Sequence, residues 1–335
     1  MWSRRESLIA GASAAILPAL LKAAPVVEPG VPPADRELRV PVKGGSIYVR
    51  VNGNLAGPKP PIMMVHGGPG GALFQFFPAL PLASERAVIL YDQLDSGRSD
   101  APNDKANWTV ERYVSEIDAI RVALGVRHLH LLGHSWGGIL ATRYAAARRK
   151  GLQSLILQGT PPSDARLKAS VEQRYAELPD NMGAVLLQHG RDATVKGPEY
   201  DKAHVAFMGK YLVGKDGRKG LQSAAMPYVS RLPEDRGDAL AEYMIGNRID
   251  GFGGLLKGFD DEPLLRKINV PTLVMFGEYD LMTRAAEEAT VRKLRHGSLF
   301  EVKGAGHMAQ FDQPEAWRVA ISQFVSAHDS FSSRG

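Results

Sequence analysis

The chain has 335 residues, 44% hydrophobic and 23% charged, a balance that supplies a sizeable buried core and excludes a disordered or fibrous protein. Its formal net charge is +5, yet no run of Lys and Arg is interleaved with aromatics, so nucleic acid is not an expected partner. The absence of cysteine excludes a disulfide framework, a thiolate nucleophile and a cysteine-held zinc.

Residues 1–24 set the pair Arg4 and Arg5 ahead of an apolar stretch from Leu8 to Leu21, with small residues at Ala23 and Ala24. A bilayer span takes about 20 strongly apolar residues, and this stretch is short and rich in Ala and Gly. It reads as an export signal resembling the twin-arginine type, whose cargo crosses already folded, with cleavage near Ala24 and a periplasmic destination. An uncleaved anchor is the alternative. Removing Arg4, Arg5 and Lys22 together with Glu6 lowers the net charge from +5 to +3, and no stable membrane association is expected after signal removal.

A proline-rich spacer, residues 25–37, precedes "LRVPV" and "SIYVRVN", which read as an antiparallel hairpin about Gly44-Gly45. "PIMMVHGG" and "AVILYDQ" are short continuous apolar runs, the pattern of strands buried on both faces. Between Thr109 and Gly125, apolar residues recur at spacings of three and four behind Thr109 as cap, which predicts a helix. A strand "LHLL", a helix over about 136–148 and a strand "LQSLILQG" follow. Strands alternating with helices predict an α/β fold, a mostly parallel sheet with helices on both faces, over 38–160. The alternation stops at 161–269, which reads as an inserted helical cap over the sheet's carboxyl edge. It resumes over 270–335 with "PTLVMFG", "SLFEVKGAGH" and a last amphipathic helix from about 314 to 327.

The chemistry concentrates at Gly133-His134-Ser135-Trp136-Gly137, a G-x-S-x-G string between a predicted strand and a predicted helix. A strand that turns into a helix through one residue strains that residue and needs small neighbours. The bend displays Ser135 at a helix N-terminus, where free N–H groups favour developing negative charge. A serine hydroxyl needs a base, and the base an acid that fixes its tautomer. In chain order the acid should follow a late strand and the histidine should come last. Asp280 in "LVMFGEYD" and His307 in "VKGAGHM" fit, with Glu278 the competing acid. "HGGPGG", from His66 to Gly71, lets backbone N–H groups approach an oxyanion, which assigns one donor to Gly68 and the other to Trp136. No Gly-Lys-Ser/Thr, no G-x-G-x-x-G with a downstream acid and no H-E-x-x-H is present, so neither a cofactor nor a metal is expected.

Together "HGGPGG", "YDQLDSGRSD", "GHSWGG", "GEYD" and "GAGHM" resemble the proline iminopeptidase family of α/β-hydrolases, closest to its amino-acid amidase and prolinamide hydrolase branch. The likeness covers about residues 38–325. It implies the α/β-hydrolase fold and an acyl-enzyme that releases an N-terminal residue or ammonia from a small-molecule or short-peptide substrate. It also implies Ser135, Asp280 and His307 as catalytic residues, with Gly68 and Trp136 as oxyanion donors. Family members hold the substrate amine with cap glutamates, and at those places this chain has Gly190 and Ile249, the latter beside Asp250. Burying an ammonium without a carboxylate costs several kcal/mol, so either Asp250 or another cap acid substitutes, or the substrate has no amine. Asp95 stands where the family shows glycine; it adds a negative charge near the mouth of the site, serving the amine or standing as a solvated loop acid. A carboxylesterase or lactonase on a neutral substrate is the alternative function, and a non-catalytic binding protein on the same scaffold a third.

Overall fold

The computed structural model describes residues 31–192, 194–246 and 251–331; the export segment and Asp250 lie outside them. Eight strands form one sheet in the order β1-β2-β4-β3-β5-β6-β7-β8. They are β1 (Arg36–Val42), β2 (Gly45–Asn52), β3 (Ile62–Val65), β4 (Val88–Tyr91), β5 (Leu129–His134), β6 (Leu152–Gln158), β7 (Thr272–Gly277) and β8 (Gly297–Val302). β1 and β2 form the expected antiparallel hairpin, with Val42 opposite Gly45, and β2 pairs antiparallel with β4. From β4 to β8 every pairing is parallel. The inner strands are wholly buried and alternate between two cores. Met63, Val65, Ile89, Tyr91, Leu129 and Leu131 face one, with the helices Val110–Leu124 and Trp136–Ala146. Ile62, Met64, Val88, Leu90 and Leu132 face the other, with the segment Leu73–Ser84 and the helix Pro314–Ser326. That two-sided cover is why these strands read as unbroken apolar runs.

Local chemistry sets the helix ends. Thr109 accepts from the Arg112 N–H at the start of Val110–Leu124, and Gly125 ends it at φ 68°, a left-handed cap. The helix after Ser135 stops at Ala146, two residues short of the predicted end, because Arg148 turns to φ 52°. Leu73–Ser84 is a 3₁₀ segment with no counterpart in the sequence reading; Pro78 and Pro81 within it break the helical ladder.

Between β6 and β7 the described chain is helical, with Asp164–Ala176, Met182–Arg191, Pro198–Phe207, a π turn at Met208–Leu212, Lys215–Val229, Asp238–Ile245 and Glu262–Leu265. This is the cap. Leu186, Phe207 and Tyr211 form its own core with Leu167, Val171 and Tyr175, and Met182, Val185, Leu187 and Met208 pack on it. These apolar cap residues are packing.

Candidate active site

All the loops named from motifs emerge at the carboxyl ends of parallel strands, where open α/β sheets place their ligands. β5 ends at His134, and Ser135 adopts φ 54° and ψ −118° before the helix begins at Trp136. A non-glycine residue held there stores on the order of 1–3 kcal/mol of strain. The surrounding glycines are sterically required. A Cβ on Gly133 would lie 2.3 Å from the Gly137 carbonyl oxygen, one on Gly137 2.1 Å from that of Val65, and one on Gly138 1.8 Å from Thr160 Oγ1. Ser135 remains partly exposed among buried neighbours, and its N–H donates to the Gln158 carbonyl at 2.9 Å. The bend thus lifts one hydroxyl toward solvent.

β7 and β8 deliver the acid and the imidazole. His307 Nδ1 lies 2.7 Å from Asp280 Oδ1, and the Met282 N–H donates to the same oxygen at 3.1 Å. Both residues are buried. Burial alone would raise the Asp280 pKa, but the His307 charge, its hydrogen bond and the Met282 N–H outweigh it and hold the carboxyl below its ordinary value. Glu278, the competing acid, turns away and accepts from the Gly304 N–H at 3.0 Å. Gly159, at the end of β6 with φ 51°, passes so close that a Cβ there would sit 2.8 Å from both Asp280 Oδ2 and His307 Nδ1. Burial, and then the Asp280 charge, push the Glu287 carboxyl well above the ordinary range.

His134 lies ring to ring with His307, centroids 4.6 Å apart, which brings the histidine loop alongside the elbow. The His134 Nε2–H donates to the His307 carbonyl at 3.1 Å. Burial, then the His307 charge, lowers its pKa to about 3, so it is neutral and does not compete with a cation on His307. On the far side of the elbow, a Cβ on Gly67 would meet Ser135 Cβ at 3.3 Å, which puts the glycine loop after β3 against the serine. The Gly67 N–H is spent on Gln75 Oε1 at 2.9 Å. Gly68, at φ 127°, gives its N–H to no acceptor among the described residues. The Trp136 N–H opens a helix and has no carbonyl within it to bond.

Gln93, inside a quoted motif but given no role by the sequence, links the Trp136 side chain to His66, at the head of the glycine loop. Its Oε1 accepts from the Trp136 indole at 2.8 Å, its Nε2–H₂ donates to the His66 carbonyl at 3.0 Å, and its N–H donates to His66 Nε2 at 3.1 Å. A buried polar pair, Asp92-Gln93, directly after a wholly apolar strand is the signal that could have marked it.

The reading of Asp95 as a solvated loop acid needs correction. The residue is 1% exposed, and its carboxylate accepts from the Trp108 indole at 2.9 Å and the Asn103 N–H at 2.8 Å. It braces the loop after β4. Its φ of 61° explains the family's glycine at this place, since Asp is among the few side chains that tolerate left-handed backbone. Gly190 is buried near the end of Met182–Arg191 and offers no carboxylate.

The cap is tied into the same loops. The His307 N–H donates to the Tyr211 carbonyl at 2.9 Å and the Met308 N–H to that of Leu212 at 2.8 Å. Asp312 accepts from the N–H groups of Gly306 and Gly214. Gly237, just before Asp238–Ile245, meets Gly70 backbone to backbone; a Cβ on either would fall 2.5 Å from the other's carbonyl oxygen.

A family model described as alpha/beta hydrolase fold matches residues 60–194. A proline iminopeptidase of Levilactobacillus brevis is 32% identical over 304 residues, covering 88% of this chain and 97% of that protein. One of Lactiplantibacillus plantarum is 31% identical over 296 residues, covering 87% of this chain and all of the other. The crystal structure of a proline iminopeptidase from Mycobacterium smegmatis superposes with a TM-score of 0.79 at 27% identity, over 88% of this chain and 99% of that one.

Proposed function

Because the chain belongs to the proline iminopeptidase family of α/β-hydrolases and is a serine hydrolase of aminopeptidase type, we propose that Ser135, His307 and Asp280 cleave small amides and N-terminal residues of peptides through an acyl-enzyme. Ser135 Oγ gives its proton to His307 as it bonds to the substrate carbonyl carbon, and the N–H groups of Gly68 and Trp136 receive the oxyanion. His307 then passes the proton to the leaving nitrogen as the C–N bond breaks. Water, deprotonated by His307, releases the acid and restores Ser135. The observation that carries this reading is the 2.7 Å contact between His307 Nδ1 and Asp280 Oδ1 beside an elbow held at φ 54°. Ser135→Ala is expected to abolish both turnover and labelling by a fluorophosphonate probe. Persistent labelling would refute the assignment.

For the substrate's free amine we propose Asp250, since Asp95 is committed to its loop and Gly190 has no carboxylate. Asp250→Asn is expected to raise KM for alanine or proline p-nitroanilide at least tenfold, the loss of one charge-assisted contact of about 1.4 kcal/mol or more. Turnover of a p-nitrophenyl ester should be unchanged. The glycine at 190 favours a second reading, a neutral ester or lactone substrate. If N-acetylation of the p-nitroanilide leaves the rate unchanged or raises it, this second reading displaces the first.

We further propose that the Arg4-Arg5 segment directs export to the periplasm. Replacing both arginines by lysine should retain the protein in the cytoplasmic fraction of cells expressing the full chain.

A further inference from the structure

We propose that Arg174, on the cap helix Asp164–Ala176, is a positioning residue that holds the acid loop and the histidine loop in register with one another. The proposal rests on the triad reading above. Arg174 is 8% exposed. Its Nε–H donates to the carbonyl of Asp280 itself at 2.8 Å, and an Nη2–H donates to the Glu278 carbonyl at 3.1 Å. An Nη1–H donates to Glu177 at 3.1 Å, and the guanidinium lies over the Tyr211 ring, 5.3 Å from its centroid. The Tyr211 hydroxyl donates to the same Glu177 at 2.9 Å, and the Tyr211 carbonyl takes the N–H of His307.

These contacts form one chain of bonds from the backbone of the acid to the backbone of the imidazole, running entirely through the cap. Asp280 and His307 stand 27 residues apart in sequence and their side chains meet through one hydrogen bond, while their loops are joined directly by the Tyr279 N–H to the Ala305 carbonyl at 2.8 Å and by the Gly304 N–H to Glu278 at 3.0 Å. The cap therefore supplies a further tether, distinct from these in being made from the backbone groups of Asp280 and His307 themselves. A planar, forked cation can bond two carbonyls and a carboxylate from one position while stacking on a ring; a lysine's three donors radiate from a single nitrogen, so they cannot spread across acceptors this far apart, and it has no plane to stack. Burial matters too. Removing a charged donor from buried carbonyls leaves them unpaired, and the loop is expected to shift to find water. A displacement of about 1 Å in a reacting group can cost on the order of 100-fold in rate.

The test compares full-length wild type, Arg174→Met, Arg174→Lys and Tyr211→Phe, the last keeping the ring and the backbone carbonyl but losing the bond to Glu177. Two quantities are measured on folded protein: the second-order rate of fluorophosphonate labelling, and kcat and KM for a p-nitrophenyl ester. Arg174→Met should slow labelling and lower kcat by roughly 10- to 100-fold, with KM within about threefold of wild type. Arg174→Lys should recover only a small part of the loss, and Tyr211→Phe should show a smaller change in the same direction. Wild-type labelling rates in folded Arg174→Met would overturn the proposal, whatever happens to its melting temperature. If Arg174→Met does not fold, wild-type rates in both Arg174→Lys and Tyr211→Phe overturn it equally. Labelling that survives Ser135→Ala would instead bring down the triad reading.

Discussion

Gly159 shows how little room the reacting side chains leave. Its backbone is in the left-handed region, and the place a Cβ would take is already occupied by the carboxylate of Asp280 and the ring of His307. Gly159→Ala therefore adds about 1 kcal/mol of backbone strain and forces the acid or the imidazole aside. Turnover should fall by roughly 100-fold, with a lower melting temperature by calorimetry; an alanine variant with wild-type kcat would show that the pair has slack. At this scale the sequence was legible where spacing carries chemistry. Ser135 was marked by glycines that the bend requires, and Asp280 and His307 by chain order after late strands. Gln93 and Arg174 were not marked, because their work is done through hydrogen bonds to residues 27 and 106 positions away, and no local pattern encodes a distant carbonyl.

Among the elements, the loop after β4 is the place where a single residue departs from its relatives and the reason is physical. Asp95 accepts the left-handed backbone that glycine takes freely, and its carboxylate then fastens the Trp108 indole and the Asn103 amide. Asp95→Gly removes strain of about 1 kcal/mol but loses two hydrogen bonds to a charged group, each worth about 1.5–3 kcal/mol. Net destabilisation of about 2–5 kcal/mol is expected in urea titration, with KM for an amine substrate unchanged. A rise in KM without loss of stability would return Asp95 to the substrate. The inner strands were readable because both their faces are covered, which makes them mostly apolar. The Leu73–Ser84 segment escaped because its prolines erase helical periodicity while its burial hides any polar face. The cap helices showed as amphipathic patches such as "SVEQRYAEL", within Asp164–Ala176, but their mutual arrangement depends on contacts between short elements that no single period reveals.

For the whole molecule, two buried histidines set an acid limit. Burial first of all lowers His130 to about 4, the Asp329 bond opposing and the Arg86 charge assisting, and lowers His134 to about 3. In the unfolded chain both titrate near 6.5. Between these values the unfolded chain takes up protons that the folded one refuses, so stability is full above about pH 7 and falls as pH drops through 6.5 toward 4. Each histidine contributes a slope of about 1.4 kcal/mol per pH unit in that window. Urea titrations at pH 7, 6 and 5 should show the decline, and His130→Gln should flatten it; an unchanged slope in that variant would remove His130 from the account. His130 also sits 2.8 Å from Ser154 Oγ and 3.0 Å from Asp329 Oδ1. This is a second serine, histidine and aspartate constellation, at the amino-terminal side of the sheet. Ser154 is wholly buried, in the middle of β6, with no elbow, and the set fastens the C-terminal segment. Three residue types in contact thus do not by themselves make a reactive site; the strand-to-helix bend that exposes Ser135 has no counterpart at Ser154.

The touching backbones of Gly70 and Gly237 bear on how this protein can be altered. Neither position admits even a methyl group, so the cap and the glycine loop after β3 are fitted to one another where these two backbones cross. A cap grafted from a relative would have to bring its own bare crossing residue, or it would lift away from the glycine loop beside Ser135.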